Sequence, residues 1–566
     1  MVKHWWMESV GYQIYPKSFY DGNDDGIGDI KGIIEKLDYL EKLGVNLLWI
    51  CPFYDSPMDD NGYDVRDFFK VAEQFGHMDD VDFLIKEAHA KGIKIVLDFV
   101  LNHTSDEHPW FLESKKSKDN PYRDYYIWHD GRVVDGKKIE PTNWGSFFGG
   151  SAWQYESETD SFYMKIFSKK MPDLNWKNPK VQEEMVVVAK TWLDKGIDGF
   201  RIDAVSHLDR AEFIDAVSHN DEPYPLDWFK FSNLPKVHTY LKMLNNEVFK
   251  SSDCLTIGEV GGSASIEEGI KYSAFDQNEL SMVFNFDHNW CNNLHDIDNL
   301  KKLKTDVICL KKAFTSWQDS FKEIGWIPIN WLNHDQPRLM SQYGDYKYPL
   351  KSGKMLATLR YMMRGTPFIY QGEEIGMTNY PFSSPNEFND VSSISSYIYH
   401  LTKDPEDPNK ALKKVAKTSR DNPRTAMQWS NDFNAGFSSV LTKVLINPNY
   451  KKINVQKNLD DKNSLFYHYQ KLINLRKDSI YHDMITWGSY ELLDPDDQNI
   501  YAYLRRYQND TLLVINSFSR KKQSYSLKNY EILDTLITNE KNTMIKENTL
   551  TLRPYESIVF KVKENL

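Results

Sequence analysis

Two charged residues stand two apart in an otherwise apolar stretch, Gly199-Phe200-Arg201-Ile202-Asp203-Ala204-Val205. In a strand, alternate side chains share a face. Phe200, Ile202 and Ala204 can therefore pack one way while Arg201 and Asp203 project together the other way. Burying such charges is costly unless they are paired or at work. One reading is a structural ion pair, the commoner outcome for a solitary Arg-x-Asp. The other is a carboxylate kept ionised by its arginine and aimed into a pocket. Comparable residues recur elsewhere: Asp98, Asn102 and His103 close the apolar run 93–100, Glu259 closes 255–260, and His334 and Asp335 follow 327–332. Each alone could be a cap, a turn or a surface charge. Four such run ends together are hard to dismiss.

The elements that must hold these residues follow a rhythm. Residues 30–43 read as an amphipathic helix ended by Gly44, followed by a strand at 45–50. Residues 81–91 read as a helix ended by Gly92, followed by a strand at 93–100. The same order returns at 182–195, Gly196 and 197–205, and strands are expected again near 10–15, 255–260, 327–332 and 368–370. Strand, helix, glycine, strand implies parallel strands joined by crossover helices. Repeated on this scale it predicts an α/β fold, an eight-stranded (β/α)8 TIM barrel with its chemistry at the C-terminal strand ends. The rhythm stops between His103 and Met171, a stretch too long for a bare loop. This predicts a small domain at 104–170, inserted after the third strand and overhanging the site. Residues 1–103 and 171–484 then form the barrel, with an irregular wall at 372–464 and a closing helix at 465–477. From 485 to 566 short alternating runs predict a C-terminal antiparallel β-sandwich.

Composition narrows the function. The 566 residues are 41% hydrophobic and 27% charged, enough for two or three domains around a large core. The net charge of −12 and the lack of a basic, aromatic-laced patch argue against a nucleic-acid partner. No apolar run is long enough to span a bilayer, so no membrane is expected. Four cysteines (Cys51, Cys254, Cys291, Cys309) suggest neither a disulfide framework nor a metal site, and no secretory leader is evident, so a cytoplasmic location is expected. Aromatic residues make up 14%, and surplus Trp and Tyr suit a sugar-binding cleft. One loop carries oxygen side chains at Asp21, Asn23, Asp25 and Asp29, with Gly26 at the turn and the Ile27 carbonyl available. These follow the first nine positions of a calcium loop, although Gly32 stands where the bidentate glutamate would be. A structural Ca2+ is expected there; the competing reading is an acidic turn.

Seven motifs, in order, carry a resemblance: 11–16 (GYQIYP), 98–103 (DFVLNH), 171–175 (MPDLN), 199–205 (GFRIDAV), 258–260 (GEV), 333–335 (NHD) and 365–374 (GTPFIYQGEE). The chain resembles glycoside hydrolase family 13, the α-amylase family, and within it the bacterial α-glucosidase and oligo-1,6-glucosidase branch. The resemblance covers essentially the whole chain. It implies Asp203 as nucleophile, Glu259 as general acid/base and Asp335 as the third carboxylate, which stabilises the transition state. A retaining glycosidase needs one ionised carboxylate and one protonated, about 5–5.5 Å apart. Arg201 favours the ionised Asp203, while Glu259, with no adjacent cation in sequence, more readily keeps its proton. No organic cofactor is required.

The resemblance further implies that Tyr63, Asp64, His103 and His334 line the terminal-glucose subsite, with Tyr63 stacking on the ring. An arginine from 419–429 (SRDNPRTAMQW) would join Asp64 on the far hydroxyls, Arg424 being preferred over Arg420. Phe167 resembles an aromatic wall residue, plain core packing being the competing reading. A blocked cleft of this kind implies an exo-acting α-glucosidase releasing one glucose from the non-reducing end. Ala204 follows the nucleophile position, where α-1,6-specific members usually carry Val. This leans the expectation toward α-1,4 substrates such as maltose, with transglucosylation also expected. The alternatives are oligo-1,6-glucosidase, trehalose-6-phosphate hydrolase, sucrose isomerase and, remotely, a non-catalytic transporter-associated relative. Oligomeric state is not legible.

Overall fold

The computed structural model describes residues 2–218, 222–261, 264–294, 304–403 and 405–565. Eight strands form the central sheet: β1 (Gly11–Ile14), β2 (Leu47–Ile50), β3 (Lys94–Val100), β4 (Gly199–Asp203), β5 (Leu255–Glu259), β6 (Met282–Phe284), β7 (Pro328–Ile329) and β8 (Thr366–Tyr370). Their order is β6-β5-β4-β3-β2-β1-β8-β7, and every pairing is parallel. The end strands β6 and β7 come together, giving the near-closed (β/α)8 barrel that the rhythm predicts. Its strands are buried along nearly their whole length, as parallel strands covered by helices must be.

Local chemistry sets the ends of these elements. The predicted helix over 30–43 is two helices, Ile30–Glu35 and Leu37–Leu43, broken at Lys36. Asp29 caps the first through the Gly32 N–H, and Gly44 ends the second at φ 102°, a left-handed conformation glycine adopts freely. Gly199 opens β4 at φ 156°, where an added Cβ would lie 2.1 Å from the Leu255 carbonyl oxygen. That close approach seats β4 against β5.

Several expectations are corrected. Strand β6 was not foreseen, and β7 spans only two residues of the expected 327–332. The region 372–464 is not merely irregular, since it contains helices Val391–Lys403 and Pro408–Thr418. Cys291 and Cys309 form a disulfide, where the four cysteines had suggested no disulfide framework. Cys51 and Cys254 are free and buried.

Between β3 and β4 the chain makes a three-stranded antiparallel sheet, Trp128–His129, Ser161–Met164 and Trp153–Glu156, and a hairpin of Arg132–Val134 with Lys137–Ile139. Trp144, Trp153, Phe162 and Met164 form a small core of their own there. At the C-terminus, antiparallel strands Ser489–Leu493, Ile500–Tyr507, Asp510–Ser517, Ser557–Glu564 and Tyr530–Thr538 form one sheet. A three-stranded sheet accompanies it. No helix among the described residues is long and apolar enough to cross a membrane.

Candidate active site

Strand register brings the charged residues together. Arg201 on β4 lies directly opposite Asp98 on β3, and Ile202 pairs with Gly258, one residue before Glu259. The Arg201 side chain is wholly buried. Its Nη1 donates to Asp203 Oδ1 at 2.7 Å and also contacts Asp98, while its Nη2 contacts Glu259. One guanidinium thus binds three carboxylates. This corrects the expectation that Glu259 has no adjacent cation: sequence neighbours say nothing about the next strand. Trp49 Nε1 donates to the far oxygen of Asp98 at 2.7 Å, with the Tyr63 hydroxyl at 3.3 Å.

Burial, not Arg201, dominates the proton affinities. It pushes Asp203 up to about 6 against the pull of Arg201, with Asp98 adding to the rise. It pushes Glu259 up to about 7, again against Arg201, with Asp203 and Asp335 pushing further. Asp335 behaves oppositely. Burial would raise it, but surrounding positive charge, including Arg420 and Arg424, holds it well below the usual carboxylate range. Arg424 Nη2 donates to Asp335 Oδ1 at 2.6 Å, and Arg420 Nε lies 3.7 Å from the same oxygen. One carboxylate is therefore firmly ionised beside two that change state near neutrality. That set can supply both a nucleophilic carboxylate and a carboxylic acid at one pH.

These groups border a cavity of about 500 Å3. Of the residues expected in the glucose subsite, Tyr63, His103, Phe167 and Ala204 line it. Burial pushes His103 down to about 3, so it is neutral, and its Nε2 has no partner in the protein. The Phe167 ring stacks on Phe147 at 5.2 Å and meets His103 edge-on at 5.3 Å. It is a wall residue, not plain core.

Three expected contact residues act from behind the surface. His334 is 1% exposed, with Nε2 2.7 Å from the Tyr63 hydroxyl and Nδ1 2.8 Å from Gln13 Nε2. Asp64 is fully buried, and its carboxylate accepts the backbone N–H groups of Asp59 and Asp60. Arg424 braces Asp335 and Asp390 and donates to the His334 carbonyl at 3.2 Å. The pair at the cavity is Asp60 with Arg420, joined at 2.5 Å, and Arg420 is tied to Asp390 at 2.6 Å. Of two close pairs, the structure brings Asp60 and Arg420 to the cavity where the sequence pointed to Asp64 and Arg424. Sequence reasoning also missed Phe147, Phe148, Trp228, Phe286, Asn289 and Trp290, which line the cavity. The aromatic richness of 144–167 was the one available signal.

Ala204 has φ 45°, ψ 35°, a left-handed conformation rare for a residue with a Cβ. Its N–H lies 3.3 Å from Glu259 Oε2. This backbone turn, besides side-chain size, constrains what position 204 can hold.

In the acidic loop, Asp21 accepts the N–H groups of Asn23, Asp25 and Gly26, and Asp29 those of Gly22 and Gly32. Asp21 and Asp29 are nearly fully buried. Burial pushes Asp29 up to about 6, the two N–H groups pulling down and Asp21 pushing up again. Asp21 Oδ1 accepts two of these N–H groups, while Asp21 Oδ2 and each Asp29 oxygen accept one and keep a lone pair. The donor types, with Asn23 Oδ1 and the Ile27 carbonyl as neutral oxygens, are those a hard cation takes, but their arrangement is not a formed cage. Among the described residues no group of three or more His, Cys, Asp or Glu side chains is arranged to hold a metal.

Comparison with known proteins places the chain. The model for the alpha amylase catalytic domain matches residues 13–488, and that for the alpha-amylase SusG C-terminal domain matches 500–559. The chain is 45% identical to the oligo-1,6-glucosidase of Bacillus cereus and 46% identical to that of Parageobacillus thermoglucosidasius, with all of each chain covered. It superposes on the trehalose-6-phosphate hydrolase of Bacillus licheniformis with a TM-score of 0.91 and 40% identity, covering 99% of this chain and 100% of that one. The chain belongs to the α-amylase family of glycoside hydrolases.

Proposed function

We propose that this α-amylase-family hydrolase is a retaining, exo-acting α-glucosidase of short α-1,6-linked gluco-oligosaccharides such as isomaltose and panose. The observation that carries the reading is the single Arg201 guanidinium touching both Asp203 and Glu259 at the cavity floor. Two carboxylates on neighbouring nitrogens of one group suit the spacing of about 5–5.5 Å for covalent displacement, rather than about 6.5–9.5 Å for direct attack by water. Asp203 attacks the anomeric carbon while Glu259 gives its proton to the leaving oxygen. The glucosyl ester on Asp203 is then opened by water, whose proton Glu259 accepts. Asp335, fixed by Arg424, binds the glucose hydroxyls and offsets charge developing on the ring. Asp60 and Arg420 close the far end of the pocket and hold the outer hydroxyls, so only a terminal glucose fits.

The linkage follows the relatives rather than Ala204. The lean toward α-1,4 bonds rested on the absence of a Val side chain, a difference worth only about 1–3 kcal/mol. Relatives 45–46% identical over the full length carry the α-1,6 activity in their names. For trehalose 6-phosphate, an anion-binding pocket is needed, yet Arg420 is the one Lys or Arg among the described lining residues, and Asp60 and Asp390 already hold it. A comparison of kcat/KM on isomaltose, maltose, sucrose and trehalose 6-phosphate tests the assignment. Isomaltose should lead, and a preference for maltose would restore the α-1,4 reading. β-Glucose as the first product would refute retention.

Asp21, Asn23, Asp25, Ile27 and Asp29 are proposed to hold a structural Ca2+, relieving the repulsion between buried Asp21 and Asp29. One calcium per chain by metal analysis is expected, and none at millimolar Ca2+ would reject the site.

A further inference from the structure

Strand β6 leads into a one-turn segment, Asp287–Trp290, that the reaction described above does not use. Its position is informative. Phe284, the last residue of β6, is the register partner of Glu259, so this turn rises from the strand next to the one carrying the acid. Glu259 and this turn line the same cavity.

The turn is fastened at four points. Asp287 Oδ2 accepts from Trp317 Nε1 at 2.7 Å. His288 Nε2 lies 2.9 Å from the Trp331 carbonyl, and the His288 carbonyl accepts the Tyr343 hydroxyl. Cys291, the next residue, is bonded to Cys309 on the helix Val307–Phe321. Three residues of this anchored turn, Asp287, Asn289 and Trp290, line the cavity, and Asp287 is tied to Trp317. Asn289 lines it, is 3% exposed, and its Oδ1 has no hydrogen-bond partner. Trp290 lines it too, and the residue is 67% exposed. A buried acceptor without a partner costs about 1–3 kcal/mol, which a ligand hydroxyl would recover. A large, solvent-facing indole on a rigid turn is a platform for the flat face of a sugar.

The geometry points to Asn289 and Trp290 as the subsite for the leaving sugar, Asn289 hydrogen-bonding one of its hydroxyls and Trp290 stacking on its ring, with the Cys291–Cys309 bond holding both in register. The inference rests on the α-glucosidase reading and adds which residues read the departing half of the substrate. They are specificity-determining residues, and the glucosyl half is left to the charged floor.

Two donors that share the glucosyl group separate the halves. Isomaltose releases a sugar; α-glucosyl fluoride releases a fluoride ion, which needs no such subsite. Asn289→Ala and Trp290→Ala should each lower kcat/KM on isomaltose about tenfold or more, while that on α-glucosyl fluoride stays within about twofold. The double replacement Cys291→Ser/Cys309→Ser should raise KM for isomaltose and spare the fluoride. Trp290→Ala guards against misfolding, because the side chain is largely exposed, and Trp290→Phe should recover part of the loss. An equal fall on both donors would mean general damage and would overturn the subsite, as would unchanged isomaltose kinetics in Asn289→Ala and Trp290→Ala. A wild-type chain inert toward α-glucosyl fluoride would instead overturn the glucosidase reading, and this inference with it.

Discussion

The floor and the mouth of the cavity are built from opposite materials. At the floor, Asp98, Asp203 and Glu259 share Arg201, while Asp335, Asp390 and Asp60 divide Arg420 and Arg424. At the mouth stand Trp228, Phe286 and Trp290, with Phe147 packed edge-on against Trp228 at 4.6 Å, while Phe148 and Phe167 lie against Arg420 and His103. In the proposed reaction the floor meets a group that never varies, a terminal glucose, and can fix each hydroxyl with directional, ionised partners prepared before the substrate arrives. The mouth meets whatever is attached to that glucose. Rings hold a sugar face with little regard to where its hydroxyls point, so tolerance there costs little. The difference predicts sharp losses from changes to the floor and graded losses from changes to the mouth.

The most severe test is Asp203→Asn. Turnover of an aryl α-glucoside should fall by at least about 10⁴-fold, and appreciable residual rate would remove Asp203 from the nucleophile role. The melting temperature should hold or rise, because burial already disfavours the charged carboxylate. Next comes the far end of the glucose pocket. Arg420→Ala leaves Asp60 and Asp390 without this partner and should cost about 2–5 kcal/mol, or about 30- to several-thousand-fold in kcat/KM. Trp228→Ala at the mouth should cost no more than about tenfold. Equal losses would erase the contrast between the two regions.

The gentlest probe is pH. Asp203 must be ionised and Glu259 protonated, so kcat/KM should be highest between about 6 and 7, falling about tenfold per unit beyond each limb. Stability runs the other way on the low side. Asp98, Asp203 and Glu259 bind protons more tightly folded than unfolded, so their contribution weakens as pH rises from about 4 to 7. A flat rate profile across pH 5–8 would show that other groups set the proton traffic.

Much of this was legible in the sequence, for reasons particular residues make plain. The barrel showed itself because helix, glycine and apolar strand recur around Gly44, Gly92 and Gly196, and periodicity survives without knowledge of contacts. The three carboxylates showed themselves because each ends such a run. What failed depended on neighbours across space. Strand β6 has three residues, too few for any period. With it, Asn289 and Trp290 on the following turn went unnoticed. Asp60 and Asp64 are equivalent as letters, and only the folded loop turns Asp64 inward onto its own backbone N–H groups. Arg201 was visible beside Asp203, but its reach to Glu259 depends on the register of β4 with β5. Cysteines 18 residues apart carry no pairing signal in a chain this long.

The shared guanidinium has a consequence in time. In the proposed reaction Asp203 loses its negative charge when it becomes an ester, and with it goes one of the repulsions that keep the Glu259 proton in place. Arg201 then has one fewer anion to satisfy, and its attraction falls more heavily on Glu259. The acid that has just protonated the departing oxygen is thereby poised as a base for the incoming water. When the ester is cleaved, the charge on Asp203 returns and Glu259 is driven to recover its proton. The two half-reactions thus reset one another like the strokes of an engine, with charge as the only moving part.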